Sequence, residues 1–91
     1  MIQLQQEGVG LIGNDAAIFD PAGSGMIPIQ TRVEGTATFR LMGRVYPGAP
    51  WQEIREAATE GWLESFAWCQ HFAIDVTSGD GTVKCWIGNA G

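Results

Sequence analysis

The feature that most limits what this chain can fold into is an alternation of apolar and polar residues. It runs from Ile27 to Val45, with the apolar side chains mainly on odd-numbered positions, and it returns over 71–77 and 82–87. A period of two residues is typical of a β-strand with one buried face, whereas a helix repeats every 3.6 residues. The sequence therefore predicts an all-β domain.

Two arrangements of the first run agree with its phase. The odd-numbered residues keep the same phase on both sides of Gly35, so one long strand is possible. A hairpin tipped at Gly35, with Val33 opposite Ala37, fits equally well. Pro28 lacks an amide donor, which places it at a sheet edge or a strand start.

The last third of the chain predicts a hairpin around the turn residues Ser78 to Gly81. Its register makes three apolar pairs on the inner face and a charged and an apolar pair on the outer face. These are Val76 with Val83, Ile74 with Cys85, Phe72 with Ile87, Asp75 with Lys84, and Ala73 with Trp86.

The remaining segments are less regular. Residues 1–25 are rich in glycine and predict an N-terminal arm or long loop, although Ile2 to Gln5 alternate as a strand would. Such an arm would either pack on a neighbouring subunit or lie as a surface loop. The segment after Trp51 suits either a helix or a short strand with a bulge, and we favour the strand. The sum is five to seven strands over 26–91, in a small antiparallel β-sandwich or open barrel.

The two cysteines are predicted to be free thiols. In the hairpin register Cys85 points inward and Cys69 outward, so the side chains lie on opposite faces. A disulfide needs both on one face at short range. Two free thiols suit assembly in a reducing cytoplasm.

Composition excludes several classes of partner. The chain has 91 residues, a net charge of −5 and only five basic residues, which are scattered. Binding to nucleic acid depends on clustered Lys and Arg, so we expect none. Apolar runs of a few residues are far short of the roughly 20 that span a bilayer, so we expect no membrane segment.

No motif for chemistry survives inspection, and we expect neither an enzyme nor a cofactor or metal site. Gly8, Gly10 and Gly13 match G-x-G-x-x-G, but no helix follows them as dinucleotide binding requires. Asp75 and Asp80 offer too few oxygens for calcium. His71 and Cys69 have no third group or oxyanion donor to make a nucleophile pair.

Aromatic and arginine side chains are the best candidates for function. Trp62, Trp68, Phe66 and Phe72 form a predicted aromatic group that would serve the core and an interface, or else stack on a sugar. Arg40, Met42 and Arg44 form an outward stripe on one predicted strand. This stripe predicts a second interface, because Arg and Met are enriched at interfaces and Lys is depleted. The predicted interface residues are Arg40, Met42, Arg44, Trp86 and Trp68.

The segment from Gly35 to Ile87 resembles small virion structural proteins of tailed bacteriophages. Their shared pattern is an A-T-h-x-L strand, a Pro/Gly/Asp corner, a Trp that begins the next strand, and a last hairpin of the form V-T-x-G-x-G-T-V-x-x-W/Y-I/L. The matching positions are Ala37, Thr38, Phe39 and Leu41, then Pro47 to Pro50, Trp51, and Val76 to Ile87.

The resemblance implies a β-sandwich on the virion surface. It implies a capsid decoration or cement protein that contacts the major capsid protein and forms a homo-oligomer. Another minor virion component (neck, tail or head fibre) and a glycan-binding module that uses Trp62, Trp68 or Trp86 are the alternatives.

Overall fold

The computed structural model describes residues 2–18, 23 and 25–88, and these form eight β-strands and no helix. The strands are β1 (Ile2–Glu7), β2 (Gly10–Gly13), β3 (Met26–Glu34), β4 (Ala37–Arg44), β5 (Gln52–Ala58), β6 (Leu63–Ala67), β7 (His71–Gly79) and β8 (Thr82–Ile87). They build two antiparallel sheets that pack face to face. The predicted all-β sandwich is confirmed.

The strands of the two sheets follow matching orders. Sheet A has the order β1-β8-β3-β6, and sheet B has the order β2-β7-β4-β5. Each strand of sheet A is therefore joined by a short corner to the strand at the same place in sheet B. The chain forms four bent ribbons, and every corner lets one ribbon cover both sides of the core.

The core lies between the sheets and follows the predicted phase. Alternate residues of β3 and β8 are buried, as the sequence predicts. The inward residues of β4 and β7 are buried as well, and so are Met42, His71 and Ala73 on their outer face. The fully buried large side chains are Phe39, Phe72, Ile27, Ile29, Leu41, Ile74, Ile87, Val76, Val83 and Cys85. Burying such aliphatic and aromatic side chains contributes roughly 1.5–3 kcal/mol each.

The predicted hairpin at Ser78 to Gly81 is wrong. β7 pairs with β2 and β4 in sheet B, whereas β8 pairs with β1 and β3 in sheet A. The inward residues of the two strands consequently belong to opposite sheets and enclose the core from its two sides. An alternating pattern specifies which face of a strand is buried but not which strand lies alongside it. The same alternation therefore fits both a hairpin and a corner between two sheets.

The run through Gly35 adopts neither predicted arrangement. β3 and β4 lie in different sheets, and the chain bends between them at Gly35 and Thr36. This corner contacts the next one directly, because the amide of Gly81 donates to the carbonyl of Thr36 at 2.8 Å. A Cβ on Gly81 would stand 2.6 Å from the carbonyl oxygen of Glu34, so glycine permits this approach.

The N-terminal segment also differs from the expected arm. Residues 2–7 and 10–13 form β1 and β2, which are the edge strands of the two sheets. Ile18 is buried beyond them, and its amide donates to the carbonyl of Gln70 at 2.9 Å. Residues 1, 19–22 and 24 of the expected arm lie outside the described part of the chain. The strand predicted after Trp51 is confirmed as β5, with register shifts against β4.

Candidate interaction surface

The outer face of sheet A carries an uncharged patch centred on Trp86. The register places one row across all four strands, in the order Gln3, Trp86, Gln30 and Leu63. Pro28, Gln30, Leu63 and Trp86 line a shallow depression of about 150 Å³. We call these four residues the Trp86 face.

The Trp86 face combines a rigid base with exposed apolar area. Leu63 is 68% exposed, and Met26 at the same end of the sheet is 45% exposed. The indole lies on β8, between the strands β1 and β3. Large apolar side chains on a fixed sheet provide contact area at little entropic cost, which suits recognition.

Charged groups occupy the other half of the same sheet. Lys84 Nζ lies 3.1 Å from Glu34 Oε1, and Arg32 Nε lies 3.8 Å from the same oxygen. The sequence predicted Lys84 opposite Asp75, but those two residues belong to different sheets. The separation leaves one uncharged half and one charged half on the outer face of sheet A.

Arg40 of the predicted stripe is held by carboxylates. Its Nε donates to Asp75 Oδ2 at 2.8 Å, and its Nη1 donates to Glu53 Oε1 at 3.3 Å. The hydrogen bond to Asp75, followed by that to Glu53, raises the pKa of Arg40. Arg40 thus ties β4 to both of its neighbours, β5 and β7.

Met42 and Arg44 lie on the outer face of sheet B as predicted, but they are not a free surface. Met42 is only 7% exposed. The Arg44 guanidinium lies 4.3 Å from the centroid of the Trp51 ring, and its Nε donates to His71 Nδ1 at 3.3 Å. With so little exposed area Met42 offers almost no surface to a partner of the single chain, and its interface role stays a prediction.

Trp68 is held in the fold by hydrogen bonds of its side chain and of its backbone. Its Nε1 donates to the carbonyl of Ile18 at 3.0 Å, and the residue is 38% exposed. The backbone amide of Trp68 donates to the carbonyl of Gly25 at 2.8 Å. Trp68 therefore joins two points of the segment between β2 and β3, Ile18 and Gly25, to the start of the β6–β7 connection.

The aromatic group splits between core and surface. Phe72 is fully buried, and the ring of Trp62 stacks on Phe39 at 5.9 Å and meets Phe66 edge-on at 5.3 Å. Arg55 lies over the outer side of the Trp62 ring at 4.7 Å. This arrangement favours a role in the core for Trp62, Phe66 and Phe72. Trp86 is the aromatic residue of the Trp86 face.

The thiols lie in apolar surroundings. Both are free, with Cys85 in the core and Cys69 partly buried against it. Burial raises the pKa of the Cys85 thiol to about 12 and also raises the pKa of Cys69. The thiolate is the nucleophilic form, so burial disfavours reactivity at both residues. His71 is also buried, and its Nδ1 accepts a hydrogen bond from Arg44.

Metal ligands do not gather in the described ranges, where no group of three or more His, Cys, Asp or Glu side chains could hold an ion. Asp75, one of the two carboxylates weighed as calcium ligands, forms an ion pair with Arg40. Gly10 and Gly13 of the G-x-G-x-x-G match bound a strand, β2, instead of opening a helix.

The alternating pattern placed Trp86 on an outer strand face but gave no functional role to Leu63 or Gln30. Leu63 had no assigned face, and Gln30 was only one of several outward positions. Leu63 comes next to Trp86 through the pairing of β3 with both β6 and β8. That pairing joins residues far apart in the chain, and the alternating pattern carries no signal for it.

No helix among the described residues is long and apolar enough to cross a membrane. Comparison with protein-family models, with characterised proteins and with solved structures finds no match to this chain.

Proposed function

We propose that this chain is a structural protein of a tailed-bacteriophage virion, a capsid decoration protein that binds the capsid lattice through protein–protein contacts. The observation that carries the proposal is the Trp86 face, an uncharged and partly apolar patch on a rigid sheet. Interface cores are depleted in charge and enriched in aromatic residues. The major capsid protein is the proposed partner.

The distribution of charge supports binding through this face. On the outer face of sheet B, Arg40 is held by two carboxylates and Arg44 lies over Trp51. The Trp86 face has no charged member, so it can be covered without desolvating an ion. A repeated lattice multiplies a modest contact at each copy.

The sequence resemblance supplies the virion context. The β-sandwich agrees with it, as do the strand from Ala37 and the corner from Pro47 to Pro50. Its last hairpin is replaced here by a corner between the sheets at Ser78 to Gly81. A neck, tail or head-fibre position would use the same kind of face.

Cosedimentation with capsid shells tests the proposal. Shells assembled from the major capsid protein of the phage that encodes this chain are mixed with wild-type protein or with Leu63→Lys. We expect wild type to bind and the lysine variant to bind at least about tenfold more weakly, because binding would bury the added charge. Wild-type protein that stays in the supernatant would overturn the proposal.

A matched control is Val45→Lys. Val45 is 58% exposed and lies in the β4–β5 corner, so it receives the same charge at a similar exposure outside the Trp86 face. Surface substitutions of this kind change stability by no more than about 0.5 kcal/mol. Equal loss of binding in both variants would show that added charge alone, not the face, is responsible.

A second candidate function is glycan binding at Trp86. The register puts the amides of Gln3 and Gln30 on either side of the indole, and aromatic faces flanked by amides suit a neutral sugar ring. Titrating tryptophan fluorescence with neutral host polysaccharide, in wild type and in Trp86→Phe, tests this candidate. A saturable change confined to wild type would favour it over capsid binding.

A further inference from the structure

The edge of sheet A formed by β1 is open and regular. β1 pairs with β8 on one side, and its register runs without a shift from Ile2 to Glu7. Residues 2–6 carry no charge and no proline. A strand edge presents a row of unpaired backbone N–H and C=O groups, which is a template for another strand.

The opposite edge of the sandwich carries the features that block such pairing. β5 is shifted in register around Ile54, and it bears Glu53, Arg55 and Glu56. Arg55 also forms an ion pair with Glu64 of β6, which bridges the two edge strands. Bulges and charges at an edge protect a sheet from edge-to-edge association. In β1 the single charged residue, Glu7, lies at the very end.

The space beside β1 is lined largely by apolar side chains. A groove of about 350 Å³ lies between β1 and β2. Ile2, Leu4 and Ile12 line it, together with Asn14 and Asp15 of the segment after β2. Ile2 and Ile12 are only half-buried although both pack against the core. A strand added at β1 would cover these side chains.

The strand that fits this edge is β1 itself. Ile2 and Leu4 point inward and Gln3 and Gln5 point outward, as a continuing sheet requires. Residues opposite each other in an antiparallel pair lie on the same face, so a two-fold axis through the sheet must pass beside a residue. Centring it on Leu4 puts Leu4 opposite its own copy and Gln3 opposite Gln5 of the second copy.

Charge agrees with this pairing. The molecule has a net charge of −5, so most surfaces of two copies would repel each other. The centred register brings no ionised side chains of residues 2–6 together, and the facing glutamine amides can exchange hydrogen bonds. Like charges directly opposite would destabilise the pair, and residues 2–6 carry none; the carboxylate of the groove, Asp15, follows β2 and is not on the pairing strand.

We propose that the chain forms a two-fold symmetric dimer in which β1 pairs antiparallel with β1 of a second copy, so that the two four-stranded A sheets join into one. The dimer buries the β1 edge and the half-exposed side chains beside it. An isologous contact of this kind closes on itself and leaves no further edge of sheet A other than the protected β6. The inference does not rest on the virion role, and the Trp86 face remains on the outer surface of the joined sheet.

A charge-swap experiment tests the dimer. Two double variants are made, Gln3→Lys with Gln5→Lys and Gln3→Glu with Gln5→Glu, at positions that are exposed in the single chain. Each variant alone places like charges opposite each other twice, whereas an equal mixture places opposite charges there. Light scattering after size exclusion measures the mass across the micromolar to millimolar range.

We expect wild type to be a dimer, each double variant to dissociate at least about tenfold more readily, and the mixture to restore the dimer. A monomeric wild type, or double variants that dimerise as wild type does, would overturn the proposal. The control is Gln52→Lys with Ser65→Lys, which adds the same charges to β5 and β6 on the opposite side. If this control dissociates while the β1 variants remain dimeric, the contact lies at the β5–β6 side instead of at β1, and the proposal is overturned.

Discussion

The guanidinium of Arg44 lies 4.3 Å from the centre of the Trp51 ring, and a Cβ on Gly13 would stand 3.1 Å from Cζ2 and Cη2 of the same indole. Arg44 is on β4 and Gly13 on β2, with β7 between them in sheet B. The indole therefore covers β7, where the outward-facing Ala73 is fully buried. This contact explains why the chain turns sharply through Pro47 and Pro50: the corner returns Trp51 over the sheet it has just left.

Trp51→Ala is expected to lower the free energy of unfolding by about 2–3 kcal/mol, somewhat below the range for fully buried aromatics. It would expose Ala73 and remove the cation–π contact with Arg44. Urea unfolding followed by circular dichroism measures the change. Tyr46→Ala is the control, since Tyr46 is an exposed aromatic in the same corner. Equal effects of the two variants would contradict the covering role of Trp51.

Gly79→Ala is expected to cost at least about 3 kcal/mol, against about 1–2 kcal/mol for Gly48→Ala. The two glycines have nearly the same backbone angle, with φ of +94° and +92°. A Cβ on Gly79 would stand 2.8 Å from Cα of Ala37, whereas a Cβ on Gly48 meets nothing within 4 Å. Thermal unfolding of both variants measures the difference.

That difference isolates the steric demand of the corner between the sheets. Two equal losses would mean that backbone angle alone limits both positions. The contact between the β3–β4 and β7–β8 corners would then make no contribution of its own.

Arg55 and Glu64 are expected to couple by about 0.5 kcal/mol in a double-mutant cycle with Arg55→Met and Glu64→Gln. The ion pair bridges β5 and β6 at the surface, so solvent and salt screen it. Repeating the cycle at 1 M salt should remove most of the coupling. The packing of the Arg55 stem on Trp62 should persist in Arg55→Met. A coupling unchanged by salt would show that the pair is not electrostatic in origin.

Stability is expected to fall as the pH rises above 9. The pKa of Cys85 is raised from its ordinary value of 9.0 to about 12 in the folded chain, because burial disfavours the thiolate. Between these values the unfolded chain loses a proton that the folded chain keeps. The contribution of Cys85 is therefore complete below pH 9 and is lost as the pH rises through about 12.

The slope approaches ~1.4 kcal/mol per pH unit for one such group. Urea midpoints measured between pH 8 and pH 11 give this slope, in ~1-unit steps. Cys85→Ala should lower the overall stability and flatten the slope, whereas Cys69→Ala should leave most of the slope in place. A slope that survives in Cys85→Ala would assign the effect to other groups.

Local chemistry explains what could be predicted of the fold. Phe72, Ile74 and Val76 point inward because an alternating strand has only one apolar face, and the same holds for Val83 and its neighbours on β8. The strand at Gln52 to Ala58 was also predictable, since the rest of the chain is β. These properties depend on residues within one strand.

The candidate surface was predictable only in part. Trp86 and Gln30 lie outward by their phase, but Leu63 joins them through the pairing of β3 with β6. Met42 also lies outward by its phase and is nevertheless only 7% exposed. The pairing of β3 with β6 joins residues distant in the chain, which a local pattern does not encode.

The sequence by itself determined the all-β class, the inward and outward faces of the main strands, and the points where the chain must bend. Only the tertiary structure decided that those bends are corners between two sheets instead of hairpins within one. Hairpin and corner present the same inward residues to a core. What separates them is the close approach of the two corners, Gly81 to Gly35 and Gly79 to Thr36, together with strand pairing across the described chain. Both form only when all four ribbons are in place.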